Sequence, residues 1–284
     1  MTARLATHPD VAARAADVRD RLVAAGVDVE PDSSTQPVRG ADVDLLTGIR
    51  DRSVDLALVG IRELRGTETD GLTLLAVLPR EDPRDVVVAL NRKPVPLRSL
   101  PAGSRVGVSG PRRRAFLMAH RPDIVAVDIN DEDSAELSGN TEGLDAAVLG
   151  AGQARRAGLA VRAAEVLDPR SWLPEPGQGI VALIARHPIA EVTALDHLPT
   201  RTALRAELAF LDALDAPTDA ALGSLAQPSG RMVRLWAAVV SLDGTRLVRS
   251  DLTAPLDEPE LLGSSVARQL RMRGADIVLA GVAG

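Results

Sequence analysis

Short apolar runs alternate with stretches of helical periodicity along most of this chain. Residues 54–59 and 72–78 are almost entirely apolar, which predicts buried strands. Between Asp10 and Ala25 the apolar residues instead recur every three or four positions, which predicts a helix capped by Asp10. Such alternation is typical of α/β proteins rather than of β-sandwiches or helix bundles.

Two segments interrupt this pattern and predict domain boundaries. Residues 80–84 are charged and contain a proline, and residues 174–179 hold two prolines and two glycines, as hinges often do. We find no internal sequence repeat. The predicted fold is α/β with three domains: domain 1 comprises residues 1–82 and 180–200, domain 2 residues 83–179, and domain 3 residues 201–284.

The last third of the chain changes character. Two β-type segments, residues 232–240 and 245–253, flank Asp243-Gly244, which is the strongest hairpin signal in the sequence. A helix at about residues 258–272 and a final strand at 275–280 complete this pattern. We therefore predict that domain 3 is a small α+β domain.

Composition excludes several classes of function. The 284 residues have a net charge of -6, which gives no electrostatic reason to bind nucleic acid or an anionic membrane surface. Only 1% of the residues are aromatic, too few to form a surface on which bases stack. The absence of cysteine excludes disulfides, thiolate metal sites and thiol nucleophiles. The four histidines have no metal-ligand spacing. No signal-peptide core or apolar run of about 18 residues is present, so we expect a cytoplasmic protein.

The strongest local chemistry is at a predicted strand-to-helix junction, residues 107–114. Ser109 or Gly110 can cap the helix, and Pro111 suits its first position. The three arginines at 112–114 oppose the helix dipole, a cost that a bound carboxylate or phosphate would offset. A solvated basic patch is the alternative explanation.

The sequence around this junction resembles a known family. Residues 100–124 resemble the motif L-P-A-G-S-x-V-G-T-S-S-L-R-R-x-x-Q-L-x-x-x-R-P-D-L of hydroxymethylbilane synthases (porphobilinogen deaminases), and residues 206–214 resemble its helix A-E-x-A-F-L-x-x-L. We identify the chain as a member of this family. The resemblance implies two domains similar to type II periplasmic binding proteins and a smaller C-terminal α+β domain.

The resemblance also assigns roles to particular residues. In the family, the two arginines of the motif hold cofactor and substrate carboxylates, a role that falls on Arg112 and Arg113 here. Ser109 matches one of the motif's two serines, and Arg156 aligns with an arginine near the substrate site. We predict a reduced anion-binding cleft between the first two domains, formed by Arg62, Arg112, Arg113 and Arg156.

The residue that carries the family's cofactor is different in this chain. The family's G-G-C cysteine bears a covalent dipyrromethane, whereas Ala216-Pro217-Thr218 stands there now. An alcohol is a weak nucleophile without a base, and only Asp219 is near Thr218 in sequence. We therefore predict that no dipyrromethane cofactor is attached.

The family's catalytic aspartate is the last residue of the motif H-S-M-K-D. The corresponding segment of this chain has Arg62-Glu63 as its last two residues. Glu63 preserves a carboxylate and Arg62 a cation, but glutamate places its charge about one methylene farther out, and a shift of about 1 Å can cost about a hundredfold in rate. An ordinary surface ion pair explains Arg62 and Glu63 equally well.

Other anion-binding elements of the family are reduced. His8 replaces an arginine, residues 129–135 are acidic where the family has two arginines, and residues 36–41 are all that remains of a lid motif G-G-K-G-x-F. The leading prediction is therefore a degenerate family member, a monomer that binds a small carboxylated ligand such as porphobilinogen. The alternatives are an active deaminase with a noncovalent or Thr218-linked primer and Glu63 as catalytic carboxylate, and a regulatory or scaffolding protein without ligand.

Overall fold

The computed structural model describes residues 2–31, 41–61, 71–90, 93–130 and 143–281. They form two compact units, one of residues 1–81 and 177–202 and one of residues 82–176 and 203–284. The first unit contains β1 (Thr2–Thr7), α1 (Ala15–Ala24), β2 (Asp28–Pro31), α2 (Ala41–Asp51), β3 (Leu56–Gly60), β4 (Thr73–Val77), β10 (Val181–Ala185), α5 (Ala190–Thr193) and the start of α6 (Leu198–Leu214).

The second unit contains the remaining elements. They are β5 (Asp85–Ala89), β6 (Arg105–Val108), α3 (Gly110–His120), β7 (Val125–Asp128), β8 (Ala146–Gly150), α4 (Ala151–Arg156), β9 (Ala163–Val166), most of α6, β11 (Ala221–Ser229), β12 (Met232–Val240), β13 (Leu247–Pro255), α7 (Pro259–Met272) and α8 (Ala275–Ala280). None of the helices in the described ranges is long and apolar enough to cross a membrane.

The sheet of the first unit is covered on both faces. Its strand order is β2-β1-β3-β10-β4, in which β10 runs antiparallel to its two neighbours. Leu56 and Leu58 of β3 belong to one apolar cluster, while Ala57 and Val59 belong to another on the opposite face. Burial on both faces explains why the strand reads as a continuous apolar run in the sequence.

The larger sheet of the second unit repeats this arrangement. Its order is β7-β6-β8-β5-β9, and β5 is the strand that runs antiparallel to its two neighbours. The two sheets thus share one topology although the sequence has no visible repeat. The predicted α/β fold class is confirmed.

The C-terminal part of the second unit is an antiparallel sheet with helices on one face. Strands β11, β12 and β13 pair in that order, and Phe210 of α6 and Val266 of α7 pack in the cluster that covers one side. On the other side, the β11 residue Leu225 shares a core with Phe116 and Trp172. Because the predicted second and third domains share this core and one compact unit, the three-domain division stays a prediction.

The last six-residue element differs from the prediction, because residues 275–280 form the helix α8 rather than a strand. Ala275, Val278 and Leu279 are buried, whereas Ile277 is exposed. That spacing is helical, and a short apolar run does not by itself distinguish helix from strand.

The predicted hairpin is confirmed, with a longer turn than expected. Val240 pairs with Leu247, so six residues separate the strands. Within the turn, the Asp243 carboxylate accepts hydrogen bonds from the Ser241 hydroxyl and from the backbone and hydroxyl of Thr245. These bonds, that from Ser241 first, lower the pKa of Asp243 to about 2.

Candidate functional site

The strand-to-helix junction forms as predicted at the start of α3. Ser109 occupies the N-cap position, and Pro111 lies in the first turn. Gly110 has a φ of +74°, a left-handed conformation that glycine adopts without steric cost. Glycine is therefore suited to this position, where the family motif has a serine.

Arg112 and Arg113 are buried inside the second unit. They are 6% and 3% exposed, and both guanidinium groups meet one carboxylate, that of Asp85. Arg112 Nη1 lies 2.8 Å from Asp85 Oδ2, and Arg113 Nε lies 3.3 Å from Asp85 Oδ1. A solvated basic patch does not describe this pair, since the side chains are held within the protein.

Further hydrogen bonds fix the orientation of both guanidinium groups. Arg112 Nη1 also donates to the Leu173 carbonyl at 2.9 Å, and Arg113 Nη1 donates to the Ser109 hydroxyl at 2.6 Å. Trp172 Nε1 donates to Asp85 Oδ2 at 3.0 Å. We call the six residues of this network the arginine cluster: Asp85, Ser109, Arg112, Arg113, Trp172 and Leu173.

Burial governs the electrostatics of the arginine cluster. Desolvation by burial lowers the pKa of Arg112, and the positive charge of Arg113 lowers it further. The negative charges of Asp85 and, more weakly, of Glu175 act in the opposite direction and raise it. A guanidinium nevertheless remains protonated in proteins. The cluster therefore brings two permanent cations to the same carboxylate, that of Asp85.

Arg114, the third arginine of the run at 112–114, differs from the first two. The Arg114 side chain is 41% exposed, and its Nη1 lies 2.8 Å from the Oδ1 of Asp128, whose side chain is 77% exposed. Such an exposed ion pair contributes little to stability. Arg114 is thus the member of the arginine run that fits a solvated patch.

Other predicted site residues lie at the surface. Arg156 is exposed in the last turn of α4, where a cation is favourable for the helix dipole. Thr218 is exposed in the turn between α6 and β11, which is closed by a 2.9 Å bond from the Ala220 amide to the Pro217 carbonyl. Asp219 beside it is exposed too. Asp219, the acidic residue next to Thr218, is therefore not a buried base.

Of the remaining residues discussed from the sequence, some lie outside the described part of the chain and His8 lies inside the first unit. Arg62 and Glu63 lie outside the described residues, as do residues 36–40 of the shortened lid and residues 131–135 of the acidic stretch. His8 is buried at the end of β1, where its amide donates to the Leu58 carbonyl. No group of three or more potential metal ligands occurs within the part of the chain that the structure describes.

Comparison with known proteins decides the family. The model described as "Porphobilinogen deaminase, dipyromethane cofactor binding domain" matches residues 43–194, more than half of the chain. The chain belongs to the porphobilinogen deaminase family. The porphobilinogen deaminase of Desulforudis audaxviator is 38% identical over 237 residues, which cover 81% of this chain and 76% of that protein. That of Thermobifida fusca is 36% identical over 244 residues, with the same coverage.

Among solved structures, lipoprotein Tp32 of Treponema pallidum resembles part of the chain. The TM-score is 0.46 at 11% sequence identity, over 65% of this chain and 83% of that protein.

The family assignment corrects the prediction that no cofactor is bound. That prediction was wrong because the matched model is the dipyrromethane cofactor-binding domain itself. It inferred from the missing cysteine that no dipyrromethane is attached, although the matched residues end at 194, before the attachment position at Thr218. Arg112 and Arg113 lie within the matched residues, whereas a thioether requires a cysteine that the sequence lacks.

Proposed function

We propose that this family member binds small carboxylated pyrroles, dipyrromethane and porphobilinogen included, through Arg112 and Arg113, and holds them without a thioether. The observation that carries the proposal is the pair of buried guanidinium groups, which share one carboxylate at the N-terminal end of α3. No acidic residue lies in the first turn of that helix. The helix end and the two cations both favour an anion.

The energetics of carboxylate recognition support this proposal. A hydrogen bond to a charged group contributes about 1.5–3 kcal/mol, and arginine can offer a carboxylate two parallel donors. Because both guanidinium groups are already oriented, a carboxylate meets a prepared site. In the family, dipyrromethane is the primer on which porphobilinogen is polymerised; here Arg112 and Arg113 are the residues that would hold its carboxylates.

A second candidate is a working porphobilinogen deaminase. Its primer would be noncovalent or linked to Thr218, and Glu63 would be the catalytic carboxylate. The identity of 38% to a porphobilinogen deaminase favours this candidate. The exposed position of Thr218 favours binding without a covalent link. A cytoplasmic location and a monomeric state remain predictions.

Lysine substitutions test the binding site directly. We expect Arg112→Lys and Arg113→Lys each to weaken binding of porphobilinogen by about tenfold, because lysine keeps the charge but loses the planar fork of donors. Titration calorimetry measures the change in Kd. Arg114→Lys is the matched control on the same helix and should bind within about twofold of wild type. The absence of heat with the wild-type chain would favour a regulatory or scaffolding role.

Mass spectrometry of the protein as isolated tests how a primer is held. We expect dipyrromethane to add mass under native conditions and to be lost on denaturation, because no cysteine is present to retain it. Thr218→Ala should leave both spectra unchanged. A mass increment that remains after denaturation and is absent in Thr218→Ala would support a covalently linked primer. Conversion of porphobilinogen to hydroxymethylbilane at an ordinary enzymatic rate would support the working deaminase.

A further inference from the structure

Asp85 is the centre of the arginine cluster, although it was not among the residues that the sequence predicted for the site. It is the first residue of β5, between β8 and β9 in the larger sheet, and it is 1% exposed. Its two carboxylate oxygens receive both guanidinium groups and the Trp172 indole. A buried anion with these contacts would repel another anion rather than bind it.

We propose that Asp85 is a positioning residue for anion binding by Arg112 and Arg113. It touches no ligand but holds both guanidinium groups in one orientation before the ligand arrives. The inference rests on the proposed function, and it adds a residue and a mechanism to that site.

The hydrogen bonds of the two arginines carry this inference. Each guanidinium is held by at least two partners: Arg112 by Asp85 and the Leu173 carbonyl, and Arg113 by Asp85 and the Ser109 hydroxyl. Asp85 is thus a partner that both guanidinium groups share. Ordering a long side chain during binding weakens affinity, so a residue that orders two arginines in advance strengthens it.

Charge and geometry predict opposite effects for Asp85→Asn. If Asp85 merely competed with the ligand for the arginines, removal of its negative charge would strengthen binding of an anion. If Asp85 positions the arginines, the same change releases them and weakens binding. We expect weaker binding, by about tenfold or more, measured as the Kd for porphobilinogen by titration calorimetry.

A spectroscopic signal reports on the cluster independently of the ligand. The chain has two tryptophans, and the Trp236 ring lies under Arg234, whose Cζ is 4.8 Å from the ring centroid. In a Trp236→Phe background, the single indole N–H resonance therefore belongs to Trp172. We expect Asp85→Asn to shift this resonance in the absence of ligand, and Asp128→Asn, the matched control at the exposed partner of Arg114, to leave it and the Kd unchanged.

A second variant keeps the test decisive if Asp85→Asn does not fold. Asp85→Glu keeps the charge but displaces the carboxylate by one methylene, so positioning predicts weaker binding, whereas competition by charge predicts no change. Unchanged or tighter binding in a folded Asp85 variant would contradict the positioning role alone. If the wild-type chain itself gives no heat with porphobilinogen, the proposed function fails and this inference fails with it.

Discussion

Replacing Asp85 by alanine is expected to lower the free energy of unfolding by about 3–5 kcal/mol. The change leaves Arg112 and Arg113 buried without the carboxylate that both contact, and it removes the acceptor of the Trp172 indole. A buried charge that loses its partner costs far more than the intact pair contributes. Urea unfolding at neutral pH, followed by far-ultraviolet circular dichroism, measures the change.

The control for this variant is Asp128→Ala, which removes the carboxylate beside Arg114. That carboxylate is 77% exposed, so we expect a loss below about 1 kcal/mol. Both variants delete one aspartate that pairs with an arginine of α3, and they differ in burial. Similar losses for the two variants would mean that solvent reaches the arginine cluster and that burial does not set its energetics.

The arginine cluster shows what a local pattern can predict. Arg112 and Arg113 were predicted as site residues because they lie together in a motif at a helix start. Asp85 and Trp172 were missed as their partners because they lie 28 and 59 positions from Arg113, whose contacts depend on how the sheet folds. The order of residues along the chain does not say which side chains meet in the fold.

The secondary-structure elements predicted correctly were also those with local signals in the sequence. The buried strand β3 was predicted from its apolar run, and the helix α3 from its Pro111 and capping residues, because both signals are local. Residues 275–280 were assigned to a strand although they form a helix, since burial of Ala275, Val278 and Leu279 depends on the neighbouring α7 and β12. The common topology of the two larger sheets was invisible for the same reason.

The cofactor prediction failed on a different point. The missing cysteine bears on a thioether link, but a covalent bond and a binding domain are separate properties. The residues proposed to recognise the carboxylates lie within the matched 43–194, whereas the attachment position is Thr218. The identity of one residue could therefore not predict whether the cofactor binds.

Gly244 gives the second large effect, because replacement by alanine is expected to cost about 2–5 kcal/mol of stability. Its φ is +74°, a conformation that costs an L-residue about 1–2 kcal/mol. An added Cβ would also lie 2.5 Å from the Ala119 amide nitrogen and 2.6 Å from the Met118 carbonyl carbon. Both atoms belong to the backbone of α3, so relief requires movement of the turn or the helix, at about 1–3 kcal/mol.

Gly230→Ala separates the two contributions. Gly230 lies in the other turn of the same sheet with a φ of +59°, but a Cβ added there would have no atom within 4 Å among the described residues. We expect it to cost only the conformational part, about 1–2 kcal/mol, in the same urea titration. A Gly244→Ala loss no larger than that of Gly230→Ala would mean that the turn shifts away from α3 at little cost. The larger loss instead implies that the hairpin packs firmly against the helix that carries Arg112 and Arg113.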